Sequence, residues 1–262
     1  GRINKNGIKE FHGLERFEAR KLLIKKLKEK GYLVKIENIK NKVPYGDRSN
    51  SIIEPLLTEQ WFVDAKKLSK KPIKIVKDGK TSFFPNNWSK TFFQWMNEIE
   101  PWCISRQIWW GHRIPAWYDD NGNIFVAENE KDAVSLANKK NKKKEFKLRQ
   151  ETDVLDTWFS SALWPFVTLG WPNKSKELLK FYPTSVLVTG FDIIFFWVAR
   201  MMMMGNYFNK NTPFHKVYVH ALVRDEKGQK MSKSKGNVID PLELITEYGA
   251  DSLRFTLISM AS

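Results

Sequence analysis

Cysteine is almost absent from this chain of 262 residues, and long apolar runs are missing. The single cysteine, Cys103, can form neither an internal disulfide nor a cysteine-based zinc site, which excludes a disulfide scaffold and a zinc ribbon. The longest apolar stretch, residues 193–204, is interrupted by Arg200, whereas a membrane-spanning helix needs about 20 apolar residues. We therefore expect a protein of the reducing cytoplasm, with no membrane span and no protein-bound metal.

The N-terminus has neither an initiator methionine nor a secretory signal. It opens with Gly1-Arg2-Ile3, and no charged segment followed by an apolar one begins the chain. The apolar content of 42% is nevertheless sufficient for one large or two ordinary domains with packed cores. We expect an internal fragment of a longer protein.

Acidic residues are fewer than basic ones. There are 44 lysines and arginines against 29 acidic residues, which gives a net charge of +15. Such a balance favours polyanions such as nucleic acid or a phosphorylated substrate. Only ten of the basic residues are arginines, and the lysine run at 139–144 is typical of a solvated insertion, which we assign to residues 121–150. Charge alone leaves RNA binding and a merely basic surface as open alternatives.

The spacing of apolar residues changes character along the chain. The first third predicts helices over 14–30 and 88–97 and antiparallel strands at 32–39, 52–63 and 73–84, the last as a hairpin around Asp78-Gly79. Near residue 180 strands begin to alternate with helices: strands are predicted at 185–189 and 216–222, and helices at 192–204 and 241–248. This alternation predicts βαβ units with a parallel sheet, hence an α/β fold.

The most informative stretch is the loop at 230–237, Lys-Met-Ser-Lys-Ser-Lys-Gly-Asn. Lys230 and Lys233 can both turn toward one anion, and Gly236 lets the backbone approach it closely. Such a loop fits a mobile clamp for a polyphosphate whose charge changes during a reaction. A solvated lysine-rich surface loop is the alternative that the residues alone leave open.

The string Lys230 to Ser234 resembles the Lys-Met-Ser-Lys-Ser signature of class I aminoacyl-tRNA synthetases. Other segments resemble the branched-aliphatic subgroup of that family, and most closely its valine-specific members. They are Pro-Trp-Cys-Ile-Ser-Arg-Gln at 101–107, Trp-Gly-His-Arg-Ile-Pro-Ala-Trp at 110–117, Asp-Val-Leu-Asp-Thr-Trp-Phe-Ser-Ser at 153–161 and Thr-Gly-Phe-Asp at 189–192. Residues 13–20 and 43–48 resemble the tail of the editing insertion, so the likeness covers essentially the whole chain.

The resemblance implies the second half of a Rossmann-like nucleotide-binding fold with part of a β-rich editing insertion domain. Residues 1–99 would be the C-terminal part of that insertion and its return connection, which passes through Gln60 and Trp61. Residues 100–240 would be the second half of the catalytic domain. Residues 241–262 would begin the helical connection toward an anticodon-binding domain.

The resemblance also implies an ATP-dependent ligase that activates valine as valyl-adenylate and transfers it to tRNA(Val). ATP, Mg²⁺, valine and tRNA(Val) are the implied ligands, and we expect a monomer. The family's His-Ile-Gly-His signature and its editing residues do not occur in residues 1–262. We therefore expect the isolated chain neither to form valyl-adenylate nor to deacylate mischarged tRNA. A catalytically inert RNA-binding fragment and an isoleucine- or leucine-specific enzyme are the alternatives.

Each implied site residue has a role carried over from the family. Lys230 and Lys233 are the predicted catalytic residues, which would stabilise charge developing on pyrophosphate. The predicted ATP-binding residues are Gly190, Asp192, His220, Met231, Ser232 and Ser234. The predicted amino-acid pocket comprises Trp117, Asp153, Val154, Asp156 and Trp158, and which of the two carboxylates meets the α-amino group stays open. A helix cap at Asp192, a structural His220 and tryptophans that belong to the core are the competing interpretations.

Overall fold

A computed structural model describes residues 1–46, 49–55, 57–141, 147–232 and 236–260. The chain divides into two compact units, Gly1–Thr58 and Glu59–Ser262. The division lies beside Gln60 and Trp61, the predicted return connection, and well before the predicted boundary at residue 99.

The first unit contains one long helix, α1 (Arg16–Glu29), preceded by a single 3₁₀ turn, Lys9–Phe11. Glu15 caps α1, because its carboxylate accepts from the backbone N–H of Phe17 at 2.7 Å. Gly31 follows with φ of +71°, a conformation suited to glycine. The predicted helix over 14–30 is confirmed.

The strand predicted at residues 32–39 is wrong. No strand occurs there, and Val34 and Ile39 are 95% and 81% exposed. Among the described residues of the stretch predicted at 52–63, only Phe62–Val63 is a strand, and Ile52 makes an isolated bridge with Tyr45. Alternating residues form a strand only where a partner strand and an apolar surface are available.

The second unit contains the remaining elements. Its helices are α2 (Ala65–Lys77), α3 (Trp88–Asn97), α4 (Glu130–Asn141), α5 (Thr157–Ser161), α6 (Trp164–Val167), α7 (Lys176–Phe181), α8 (Arg200–Phe208), α9 (Pro241–Tyr248) and α10 (Ala250–Ser259). Its strands are β1 (Phe62–Val63), β2 (Ser82–Phe84), β3 (Trp102–Cys103), β4 (Ser105–Arg106), β5 (Ala116–Tyr118), β6 (Ile124–Val126), β7 (Arg149–Gln150), β8 (Val154–Leu155), β9 (Thr184–Gly190) and β10 (Phe214–His220). The helices predicted at 88–97 and 241–248 are confirmed.

The central sheet is parallel, in the order β2-β10-β9. This confirms the predicted βαβ arrangement of the strands at 185–189 and 216–222. Leu187 and Val217 are buried on the sheet and belong to the same hydrophobic cluster as the methionines at 201–204 of α8. Two shorter antiparallel pairs, β1 with β3 and β4 with β8, extend the core.

The hairpin predicted over residues 73–84 is wrong. Residues 73–77 are the last turn of α2, and Asp78 and Gly79 end that helix before β2. β2 then pairs with β10 in parallel, far along the chain, and not with its neighbour. The local alternation favoured a strand, but packing of α2 against α3 and α8 outweighed it.

The stretch predicted as a helix at 192–204 is helical, but the type of helix changes along it. A 3₁₀ turn (Phe191–Ile193) passes into a π-helical segment (Ile194–Ala199) and then into α8. Such widened turns re-aim side chains and are common at functional sites.

The polar stretch at 121–150 is more ordered than predicted. β5, β6 and β7 form an antiparallel sheet, and α4 packs on it around buried Trp117, Phe125, Ala133 and Ala137. The lysine run begins at the end of α4, and residues 142–146 lie outside the described part of the chain.

Candidate active site

The two long strands of the parallel sheet end side by side, and we call the place where Gly190, Asp192, His220 and Lys230 meet the crevice. Gly190 ends β9 and lies opposite His220, the last residue of β10. In open α/β sheets, ligands bind outside the carboxyl ends of the strands. A β-carbon on Gly190 would lie 2.8 Å from Oδ1 of Asp192, which is closer than real atoms approach. A side chain at position 190 would therefore have to displace the Asp192 carboxylate.

Asp192 and Lys230 form an ion pair at this crevice. Nζ of Lys230 donates to Oδ2 of Asp192 at 2.8 Å, and the two side chains are 65% and 32% exposed. Gly190 occupies the N-cap position of the 3₁₀ turn, so Asp192 is not the cap of that turn. The structure thus joins a predicted ATP-binding carboxylate to a predicted catalytic lysine.

His220 is exposed beside this pair. Its Nδ1 lies 2.7 Å from the carbonyl oxygen of Ala221, to which it donates. Its Cε1 lies 3.7 Å from the position of a β-carbon on Gly190, so the ring borders the crevice. An ATP-binding role for His220 stays a prediction.

The stem of the signature loop is held by two residues that the sequence did not single out. The backbone N–H of Ser232 donates to Oδ1 of Asn237 at 2.9 Å, and Nδ2 of Asn237 donates to Oδ2 of Asp225 at 2.8 Å. Asp225 begins an Asp-x-x-Gly turn, a signal available in the sequence, whereas nothing local marks Asn237. Met231 and Ser232 are half-buried, and Lys233 and Ser234 lie outside the described residues.

Three predicted pocket residues share one strand-to-helix connection. Val154 is buried in β8, Asp156 follows it, and Trp158 lies in α5. The ring of Trp158 stacks on Phe196 with centroids 5.8 Å apart. A β-carbon on Gly111 would lie 2.9 Å from Cγ2 of Val154, so position 111 needs glycine.

Asp156 is fully engaged with protein donors. Its Oδ1 accepts from the backbone N–H of Trp158 at 3.3 Å, which caps α5. Its Oδ2 accepts from Trp102 Nε1 at 2.9 Å, Arg106 Nη2 at 3.1 Å and Arg200 Nη1 at 3.2 Å. Burial lowers the pKa of Arg200 to about 10, and the Asp156 charge opposes this lowering. A carboxylate already bound by four donors is poorly placed to take an α-amino group.

Asp153 is the less committed carboxylate. It is half-buried, and its Oδ2 accepts from Nε2 of Gln107 at 2.6 Å. The same amide nitrogen donates to Oε1 of Gln60 at 3.0 Å, and Ser105 Oγ donates to that oxygen at 2.6 Å. Asp153 thus remains the better candidate for the amino group, and Gln60 lies in a polar network next to it.

A second polar cluster around Glu151 was missed at the sequence level. Oε2 of Glu151 accepts from Tyr118 Oη at 2.6 Å and from Trp61 Nε1 at 3.2 Å. Burial and the Glu151 charge raise the pKa of Tyr118. Burial acts to raise the pKa of Glu151, but hydrogen bonds from Tyr118, Trp61 and two backbone amides outweigh it, so the pKa is lowered. No sequence spacing brings these three residues together.

Trp117 belongs to a different hydrophobic cluster from Trp158. It is buried in the hydrophobic cluster of β5, β6 and α4, with Phe125 and Ala133, whereas Trp158 borders the main core. Core packing accounts for its burial. Its role as a pocket residue stays a prediction.

The described part of the chain contains neither a candidate metal site nor a candidate membrane-spanning helix. Within the described residues, no group of three or more His, Cys, Asp or Glu side chains is arranged to hold a metal ion. Across the same ranges, no helix combines the length and the apolar character needed to cross a bilayer.

Comparisons with known proteins give a consistent result. The family model described as tRNA synthetases class I (I, L, M and V) matches residues 12–262. A valine–tRNA ligase of Pelagibacter ubique is 70% identical over all 262 residues. Ligases of the same name are 59% identical in Bradyrhizobium diazoefficiens, over 97% of the chain, and 60% identical in Rhizobium meliloti, over 96% of it. The chain spans about 30% of the length of these relatives: 30%, 28% and 29%, respectively.

Solved structures of class I synthetases share the fold, and a methionyl-tRNA synthetase is an example. The Mycobacterium tuberculosis methionyl-tRNA synthetase bound by methionyl-adenylate superposes with a TM-score of 0.55 at 18% identity. The match covers 82% of this chain and 36% of that one.

Proposed function

We propose, from the premise that this chain belongs to the tRNA synthetases class I (I, L, M and V), that it is part of the catalytic region of a valine–tRNA ligase. The single observation that carries the chemistry is the Lys230–Asp192 pair at the carboxyl ends of two parallel strands. Identity of 70% to a valine–tRNA ligase over the whole chain supports the amino acid assigned.

The proposed reaction has two steps. A carboxylate oxygen of valine attacks the α-phosphorus of ATP, and the bond to the β-phosphate oxygen breaks, which releases pyrophosphate and leaves valyl-adenylate. A ribose hydroxyl at the 3′ end of tRNA(Val) then attacks the valyl carbonyl and displaces AMP. The full-length protein would also edit mischarged tRNA.

Lys230 and Asp192 have complementary tasks in this scheme. A bound triphosphate attracts Lys230 more strongly than one carboxylate does, since it carries more negative charge. Lys230 then stabilises charge as it develops on pyrophosphate, together with Lys233 of the signature. Asp192, once released, accepts from ribose hydroxyls, and Gly190 leaves room for the nucleotide.

Mg²⁺ has no cage of its own among the described residues. The crevice presents a lysine and one carboxylate that is already paired, which does not fit a dedicated cation site. Mg²⁺ commonly binds substrate phosphates and keeps several waters, so we assign it to the ATP molecule.

Selectivity for valine would come from Val154 and Trp158, with Asp153 facing the amino group. One methylene is discriminated by only about 1–3 kcal/mol in an apolar pocket, which makes editing in the full-length protein necessary. Amino-acid-dependent ATP–pyrophosphate exchange by the full-length protein tests the assignment. Exchange with valine above isoleucine and leucine is expected, and the reverse order would move the protein to another specificity.

The net charge of +15 supports tRNA(Val) as a partner. A cytoplasmic location and a monomeric state stay part of the proposal. Binding of tRNA should weaken as salt is raised. The alternative of a catalytically inert RNA-binding protein predicts the same salt dependence but no valine-dependent exchange in the full-length protein.

A further inference from the structure

A buried charge cluster lies behind the proposed amino-acid pocket. It consists of Asp156, Arg106, Arg200 and the indole of Trp102, which we call the Asp156 hub. The side chains of Asp156 and Arg200 are only 7% and 8% exposed. The Arg106 side chain is 39% exposed, so one buried and one half-buried guanidinium group converge on the buried carboxylate.

The hub fixes the start of α5 from both sides. The backbone N–H of Asp156 donates to the carbonyl of Ile104 at 2.7 Å, and its carboxylate caps the helix at Trp158. Any rotation of the Asp156 side chain would lose the cap and shift the first turn, which carries Trp158.

Arg200 is held in place independently of Asp156. Its guanidinium carbon lies 3.9 Å from the ring centroid of Trp102, and 5.5 and 5.4 Å from those of Phe195 and Phe196. A planar guanidinium can stack on aromatic rings and bind a carboxylate at once, which a lysine ammonium cannot do in the same way.

Arg200 also connects the two halves of the proposed site. It begins α8, which continues the helical segment that starts just after Gly190 at the nucleotide crevice. In the same segment, Phe196 stacks on Trp158, and Trp197 Nε1 donates to the carbonyl of Ser161 at 3.3 Å. The helix from the crevice therefore contacts α5 through both rings and the ion pair.

A purely structural role would not require these charges. Replacing a buried ion pair by well-packed apolar residues is often neutral or stabilising. The charged cluster adds hydrogen bonds of fixed direction. These hydrogen bonds fix the position of the N-terminus of α5.

We infer that Arg200 is a positioning residue for amino-acid binding, which acts by holding Asp156 and thereby Trp158 in the pocket. This inference rests on the proposed function. It assigns no contact between Arg200 and the substrate.

The test uses Arg200→Lys and Arg200→Met in the full-length ligase. Asp156 keeps Arg106 and Trp102 as donors in both variants. Arg254→Lys and Arg254→Met are the matched controls, because Arg254 lies on α10 with 77% of its side chain exposed. KM for valine, KM for ATP and kcat are measured by pyrophosphate exchange, well below the Tm of each variant.

We expect kcat/KM for valine to fall by roughly tenfold or more in Arg200→Met, since small misplacements are costly. For Arg200→Lys, kcat/KM for valine should lie between the values of the wild type and of Arg200→Met. KM for ATP should stay within about twofold of the wild-type value in both variants. A lower Tm with unchanged valine kinetics would overturn the inference. If the wild type activates isoleucine or leucine in place of valine, the proposed specificity fails, and the same ratios measured with that amino acid still decide the role of Arg200.

Discussion

Two aspartates of this chain show opposite ways of using a carboxylate. Asp156 is buried and accepts from three side chains and one backbone amide, whereas Asp192 is partly exposed and accepts from Lys230. Taking charges out of water is costly, so a buried carboxylate is stable only with a full set of donors. An exposed pair contributes little and breaks easily, which suits a group that must exchange its partner for a ligand. Asp156 therefore supports the structure, whereas Asp192 is available to a ligand.

The largest effect should come from removing the Asp156 carboxylate. In Asp156→Ala two guanidinium groups lose their shared counter-charge and α5 loses its cap, so we expect the free energy of unfolding to fall by about 3–5 kcal/mol. Urea unfolding followed by tryptophan fluorescence measures this. A loss below about 1 kcal/mol would remove the contrast with Asp192.

A kinetic effect of similar size should come from Lys230. In full-length Lys230→Ala, kcat for amino-acid activation should fall by about 10²–10³ with little change in stability, because one electrostatic contact to the transition state is lost. Lys227→Ala is the control, since this exposed lysine lies in the turn that precedes the signature. A raised KM for ATP with unchanged kcat would instead assign Lys230 to ground-state binding.

Glu151 should behave as an intermediate case. Its pKa is lowered below the ordinary 4.5, since hydrogen bonds led by that from Tyr118 outweigh the opposing effect of burial. A carboxyl group whose pKa is lower in the folded state stabilises the folded protein at pH values above its unfolded-state pKa. This stability is lost as the pH falls through the folded-state pKa. The wild type should therefore lose more stability than Glu151→Gln on acidification from pH 7 to about 3, as urea midpoints would report. Parallel pH profiles would argue against the hydrogen-bonded carboxylate.

The smallest change in stability is expected at Asp192. Asp192→Asn should alter the free energy of unfolding by less than about 1 kcal/mol, because its ion pair is exposed. KM for ATP should nevertheless rise, since Asn accepts ribose hydroxyls less well than a carboxylate does. Equal KM for ATP in wild type and variant would exclude the nucleotide contact.

Much of the proposed site could be predicted from short motifs. Gly190, Asp192 and Lys230 were selected from the sequence, and the structure brings them to one crevice. Asp156 was also selected, but as a possible substrate ligand. Its partners Arg106 and Arg200 lie 50 and 44 positions away along the chain, and no local pattern indicates which side chains will meet in a core.

The sequence by itself determined the parallel strands, the capped helices and the family signature, since each depends on residues close together in the chain. The tertiary structure alone decided that residues 73–77 are helical, that β2 joins β10, and that Asp156 supports the pocket from within. Local propensities differ by about 1 kcal/mol or less per residue, so burial against distant elements overrides them. For the same reason, the role of a carboxylate follows from the donors that folding brings to it.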